Sequence, residues 1–475
     1  MYIDGYWVSA ETGKMFDIFN PADREKIGEV PDGNRQDAVK AIDAAAKAFG
    51  PWSKLTAYQR SAYLYRAYQL MLARKEDLAR LMTSEQGKPL RAARAEVQYG
   101  ADFLLWFAEE AKRVYGELIP APRPDQRFLV LYQPVGVVGA ITPWNYPISM
   151  LTRKIAPALA AGCTIVIKPS EETPLCAVEI FKILQEAEIP AGVANLVTAN
   201  DPVPIGQELI TNQKVRKLTF TGSTEVGKLL AKGAADQIKR LSLELGGHAP
   251  FIVLDDADPR HAARGVSLVK YLNTGQACIS PNRLFVHKSI IHPFVEELKT
   301  RVSKLKAGSG FDDTVSIGPL VNAEALTKVD RQVCDAKDRG ATVVTGGQRL
   351  LENNLDKGYF YAPTVLNNVT PEMLIFREET FGPVAPIISF DKEEEVLSMA
   401  NDTHYGLASY VYTKDISRAI RMAEGLEFAI VGINDINPTA AAAPFGGMKE
   451  SGLGREGARQ GIAEYLETKL VGLSV

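Results

Sequence analysis

Cys278 stands in a turn-forming context, with Asn273-Thr274-Gly275-Gln276 close before it and Ser280-Pro281 after it. A thiolate is the strongest nucleophile among common side chains, and a turn can present it to a cleft. Taken alone, the segment reads more readily as a buried structural cysteine. Cys163, wedged in Ala160-Ala161-Gly162-Cys163-Thr164, fits that inert role, and Cys176 and Cys334 fall in helical stretches. Glu244, between Leu243 and Leu245 and ahead of Gly246-Gly247, is placed for partial desolvation, which raises a carboxyl toward the range of a general base. A surface glutamate at a strand end is the alternative. Asn145, in Thr142-Pro143-Trp144-Asn145-Tyr146-Pro147, offers a rigid amide donor suited to an oxyanion, or else belongs to a proline-rich turn. In Phe220-Thr221-Gly222-Ser223-Thr224-Glu225-Val226-Gly227 a strand feeds a helix whose free N–H groups can hold a phosphate. Neither GxGxxG nor a Walker P-loop occurs at a strand–helix junction. Lys168, Ser170 and Glu171, at the end of another strand, can bracket a ribose or form an exposed loop.

The elements that must position these groups alternate. Short apolar runs at Val137–Ile141, Thr164–Ile167, Asn195–Val197, Lys217–Phe220 and Phe251–Leu254 are separated by helical stretches, the pattern of an open parallel α/β sheet. A second set follows Cys278: Arg283–Val286, Ala341–Val344, Pro386–Phe390 and Ala408–Tyr412. Asp37 to Glu110 reads as helical, whereas Phe128–Tyr132 and Lys469–Leu473 read as strands outside both sets. A chain of 475 residues exceeds what one core fills, so two or three domains are expected. A net charge of -3 gives no reason to expect nucleic acid or an anionic membrane as partner. No charged-then-apolar leader opens the chain, and no run nears the roughly 20 apolar residues of a membrane span. Four scattered cysteines suit a reducing compartment, and a cytoplasmic enzyme without metal is expected.

Together and in order, Pro143–Pro147, Lys168–Pro174, Phe220–Gly227, Glu244–Gly247, Gly275–Cys278, Glu378–Pro383 and Pro444–Gly447 resemble the aldehyde dehydrogenase superfamily, across nearly the whole chain. The resemblance implies an α/β fold with a Rossmann-type cofactor domain (1–115 and 135–247), an α/β catalytic domain (248–443) and a β oligomerisation element (116–134 and 455–475). It makes Cys278 the nucleophile, Glu244 the base for the deacylating water, Asn145 the oxyanion donor and Lys154 a lysine near the proton-relay route. Thr142, Pro143, Trp144, Lys168, Ser170, Glu171, Gly222, Ser223, Leu245, Glu379 and Phe381 would hold the cofactor. A carboxylate at Glu171 favours a free 2′-hydroxyl, so NAD is expected over NADP. Glu244 also points to hydrolysis of the acyl-enzyme rather than transfer to coenzyme A. A homodimer or tetramer is implied.

Thr152-Arg153-Lys154 and Ser451–Gly457 look like the succinate-semialdehyde branch, in which an arginine matching Arg153 binds the distal carboxylate. Leu272 replaces the second arginine of that branch, at a cost of ~1.5–3 kcal/mol to the clamp. Arg153, Leu272, Thr439 and Phe445 are the expected substrate residues. The substrate is then a small aliphatic or hydroxylated aldehyde or a semialdehyde, with succinic semialdehyde the specific alternative. Arg153 reads equally as half of a structural ion pair. Ser280 replaces a cysteine common in relatives, so no disulfide switch is expected, and Ala199 stands where many have glycine. A thiol esterase and a catalytically inactive binding protein are the readings from other classes.

Overall fold

Strands buried on both faces need continuous apolar runs, and Val137–Ile141 and Thr164–Lys168 have them. The computed structural model describes every residue from Met1 to Val475 and pairs these two strands in an eight-stranded sheet. The parallel centre of that sheet runs, in space, Arg240–Glu244, Val215–Thr221, Val137–Ile141, Thr164–Lys168, Ala194–Leu196. Gly452–Leu453 adds an antiparallel edge beside Arg240–Glu244, and the Tyr2–Ile3 and Tyr6–Trp7 pair adds the other. Alternate residues face opposite ways, as a strand's period of two requires. Val138 and Ile165 pack with Ile155 and Phe181 on one face, while Val137, Val166 and Leu218 meet Ile42, Ile205 and Leu209 on the other. Strand order therefore reverses between Val137–Ile141 and Val215–Thr221, and a crevice opens beyond their carboxyl ends.

The stretch from Asp37 to Glu110 forms four helices, Arg35–Ser53, Ala57–Ala73, Lys75–Gln86 and Leu90–Glu110. The first starts where Asn34 and Asp37 make a capping box. Helix Ser149–Ala161 is buried all round and stops at Gly162, whose φ of 96° is a left-handed cap.

The second sheet has seven strands, in the order Thr342–Thr345, Thr364–Asn367, Val384–Phe390, Pro281–His287, Ala249–Val253, Ala408–Tyr412, Ile430–Ile433, parallel except at the first. Helices cover both faces: Phe251 and Leu284 pack with Val266 and Leu298, Ile252 and Phe285 with Val333 and Met422. A third, antiparallel sheet joins Glu117–Ile119, Gln126–Pro134 and Leu466–Ser474. Of the tail expected to belong to it, only Leu466–Ser474 contributes a strand. Helix Ala458–Ala463 instead buries Ile462 in the core around Ile155 and Phe107. No helix is long and apolar enough to cross a membrane.

Candidate active site

The carboxyl ends of the first sheet's strands carry Pro143, Trp144, Gly222, Ser223 and Leu245 to one wall of a cleft of about 660 Å³. Cys278 and Asn145 lie in the same lining, with Glu379, Thr380 and Phe381 opposite. The turn into Cys278 is unusual. Asn273, Thr274 and Gly275 take φ values of 49°, 59° and 76° in succession, a left-handed path that only glycine adopts freely. Hydrogen bonds hold it: Asn273 Nδ2 donates to the Asn145 carbonyl at 2.9 Å, and Gln276 Oε1 accepts from Val321 N at 2.9 Å. Asn145 is buried and donates through Nδ2 to the Gln276 carbonyl at 3.1 Å, which leaves its second amide hydrogen free. Cys278 and Asn145 are thus carried on one clamped loop pair.

Cys278 is partly exposed to the cleft, but its surroundings disfavour charge. Burial of the sulfur, with the carboxylates of Glu379 and Glu244 adding to it and Arg153 opposing, pushes the thiol up to about 12. Glu244 ends strand Arg240–Glu244, only 3% exposed, and neither carboxylate oxygen has a hydrogen-bond partner. Burial and the neighbouring charge of Glu456 hold its carboxyl well above the usual range, against the pull of Arg153, Lys154 and Arg455. It is no surface glutamate. An unpartnered, buried carboxyl near enough to raise the thiol by its charge is a candidate to take a proton.

Glu456 is the residue the sequence reading missed. Its Oε1 accepts from Lys154 Nζ at 2.6 Å, and its Oε2 lies 2.9 Å from Arg153 Nε, all three side chains being nearly inaccessible. Burial works against its charge, yet Lys154 and Arg153 outweigh that and keep it below the ordinary carboxylate range. Lys154 Nζ also donates to Thr221 Oγ1 at 2.8 Å and Thr219 Oγ1 at 3.2 Å. A signal existed: two successive cations in an otherwise apolar helix require a buried acid.

Arg153 is therefore half of an ion pair, but with a loop residue rather than a neighbour on its helix. Its guanidinium lies 4.2 Å from the Phe445 ring centroid, and Nη2 has no partner. Tyr99, near enough to Arg153 to feel its charge, shares this neighbourhood, while Thr439 Oγ1 donates to Asn437 Oδ1 at 3.2 Å. Leu272 is 46% exposed on the turn before Cys278. None of Arg153, Leu272, Thr439 and Phe445 lines the main cleft.

Of the expected cofactor residues, Thr142, Lys168 and Ser170 are buried behind the cleft wall. Glu171 lines an adjoining hollow of about 320 Å³ that shares Val321 and Asn322 with the cleft. Lys168 Nζ donates to its Oε2 at 2.6 Å. The cleft fits a dinucleotide: the helix Thr224–Ala234 opens toward it at Ser223, and the buried Thr380 hydroxyl is unpartnered. Glu379 accepts from Gly247 N at 2.9 Å, and Trp144 meets Phe381 edge-on at 5.5 Å.

The family model described as the aldehyde dehydrogenase family matches residues 7–471. A probable succinate-semialdehyde dehydrogenase [NADP(+)] of Sinorhizobium fredii is 51% identical over 456 residues, 96% of this chain and 92% of that protein. A glutarate-semialdehyde dehydrogenase of Pseudomonas putida is 49% identical over 100% of this chain and 97% of its own length. A crystal structure of an NADP-dependent enzyme of E. coli superposes with a TM-score of 0.98 at 47% identity, covering 100% of this chain and 98% of the other.

Proposed function

The chain belongs to the aldehyde dehydrogenase family, and from that premise we propose that it oxidises a short semialdehyde to the dicarboxylic acid through a thioester on Cys278. The observation that carries the reading is a partly exposed thiol in the cleft lining together with a buried carboxyl without a partner, Glu244, directly behind the lining residue Leu245.

At neutral pH the Cys278 thiol holds its proton until a base removes it. Glu244 is the base available. The thiolate adds to the aldehyde carbon, and the oxygen gains negative charge within reach of the free Asn145 amide hydrogen and the Cys278 backbone N–H. Nicotinamide, when bound, supplies the hydride acceptor. Pro143, Trp144, Gly222, Ser223, Leu245, Glu379 and Phe381 would hold that cofactor, with Thr142, Lys168, Ser170 and Glu171 supporting the adenosine end. Loss of the hydride leaves an acyl group on sulfur. Glu244 releases the proton it took from Cys278 to solvent, then takes one from water as the hydroxyl adds to the acyl carbon, and Cys278 departs as thiolate. Lys154 and Glu456 adjoin the base and can pass that proton on.

Three features support a charged tail on the substrate. Arg153 has an unused donor, the Tyr99 hydroxyl lies near enough to feel its charge, and the two curated relatives described above are named for semialdehydes. Leu272 makes the second anchor apolar, which favours the longer or less polar member of that class. Glu171, still carrying its carboxylate beside Lys168, supports NAD as the better cofactor and NADP as a weaker one. Exposed apolar residues on the third sheet support a homo-oligomer.

Initial rates of NADH formation test this, with succinic and glutaric semialdehydes set beside butanal and pentanal. The semialdehydes should give the higher kcat/KM, with NAD better than NADP. Arg153→Met should raise KM for the semialdehydes about 10–100-fold, a loss of ~1.5–3 kcal/mol, and leave butanal unaffected. Equal loss on butanal would assign Arg153 to the Glu456 ion pair alone, and preference for uncharged aldehydes would overturn the semialdehyde reading.

A further inference from the structure

The helices of the N-terminal quarter carry a buried ion pair that the chemistry above leaves unused. Lys88, in the link between helices Lys75–Gln86 and Leu90–Glu110, contacts Glu96 in the second of them, and both side chains are 1% exposed. Taking two charges out of water is costly even when they pair, so such a pair is weak evidence of added stability. What each ion does with its remaining bonds is more informative.

Lys88 Nζ donates to the Asn145 backbone carbonyl at 2.8 Å and lies 4.2 Å from the centroid of the Tyr146 ring. Glu96 Oε1 accepts from Ile148 N at 3.0 Å and from Ser149 N at 3.2 Å. Those two N–H groups open helix Ser149–Ala161, which has no side-chain cap of its own. The pair therefore grips residues 145 to 149 at both ends: a carbonyl and a ring by the cation, two amides by the anion. Asn273 Nδ2, from the turn before the nucleophile, donates to the same Asn145 carbonyl. Two separate stretches of chain converge on one peptide oxygen, and that residue lines the cleft that holds Cys278.

We propose that Lys88 and Glu96 are positioning residues for the oxyanion donor, fixing Asn145 relative to Cys278 without touching substrate. The inference rests on the reading of Asn145 as that donor. A rigid donor matters because hydrogen bonds to the oxyanion act only at the geometry of the adduct, and a shift of about 1 Å can cost about 100-fold in rate.

A double-mutant cycle tests it. Lys88→Met with Glu96→Gln removes both charges and leaves no ion stranded. In the otherwise wild-type enzyme this change should lower the rate constant of the pre-steady-state NADH burst about 10–100-fold, with NAD affinity unchanged. Asn145→Ala should lower it about 100–1000-fold. In the Asn145→Ala background the charge-removing pair should add less than about two-fold, because the group it positions is gone. Burst amplitude counts competent sites, so rate constants are compared per folded enzyme. Should the Met-containing variant fail to fold, K88Q/E96Q, which keeps hydrogen-bonding atoms at both positions, enters the same cycle. Effects that multiply across the cycle, or a folded charge-free variant with the wild-type burst, would overturn the proposal. Wild-type rates in Asn145→Ala alone would instead remove the oxyanion reading on which it stands.

Discussion

Glu244 and Glu456 share two cations, Arg153 and Lys154, yet end with opposite preferences for a proton. Glu456 bonds Lys154 directly and stays ionised, whereas Glu244 has burial without a bond and is held toward its acid form. Environments that drive two carboxyls apart divide the roles of base and fixed charge between them. The sign for activity follows. Below its raised value Glu244 carries the proton and cannot accept one from water, so turnover should climb as pH rises through a point above the ordinary carboxylate range. Glu244→Gln, lacking the base that serves both the thiol and the water, should slow the NADH burst and lower steady turnover about 10²–10⁴-fold, without that rising limb. Stopped-flow burst rates and a pH profile of kcat would check this, and undiminished steady turnover would remove Glu244 from the mechanism.

At the scale of elements, chemistry depends on where two loops touch. Gly247 sits between strands Arg240–Glu244 and Ala249–Val253, and a Cβ there would lie 2.2 Å from the Cys278 carbonyl oxygen. Gly275, with φ of 76°, would set its Cβ 2.1 Å from the Gly382 carbonyl. Neither contact can relax through a flexible side-chain tip, because backbone lies on the far side. Gly247→Ala should therefore shift the nucleophile and lower kcat/KM about 100-fold. Strain in so packed a site should also reduce stability by about 1–3 kcal/mol. Steady-state kinetics with urea unfolding measure both; wild-type kinetics in a folded Gly247→Ala protein would show that the approach of these loops does not set the position of Cys278.

For the whole molecule, the third sheet is the exposed feature. Leu466–Ser474 pairs with Gln126–Pro134 on one side only, and Leu470 and Leu473 are 61% and 44% exposed. Arg240 ties this strand to the first sheet through two bonds to Glu467, at 2.6 and 2.7 Å. An apolar edge strand of this length is a template for pairing with another chain. The protein should be a dimer or tetramer by light scattering, and Leu470→Lys with Leu473→Lys should reduce its mass to a smaller species. A monomeric wild type would contradict this.

Local patterning was enough to reveal the elements. Apolar runs such as Thr164–Ile167 mark parallel strands because burial on both faces leaves no polar position to interrupt them. The proposed reactive set was legible only as a set: Cys278, Glu244 and Asn145 each read at least as readily as structural residues alone, and the order of their motifs, through the family resemblance, singled them out. Strands such as Ile430–Ile433 and Tyr2–Ile3 went unread in the sequence. Only the tertiary structure decided which charges meet. Glu456 stands about 300 residues from Lys154, and Lys88 lies 57 residues from Asn145. A buried charge is satisfied by whatever the fold brings within about 3 Å of it, and sequence separation carries no record of that distance.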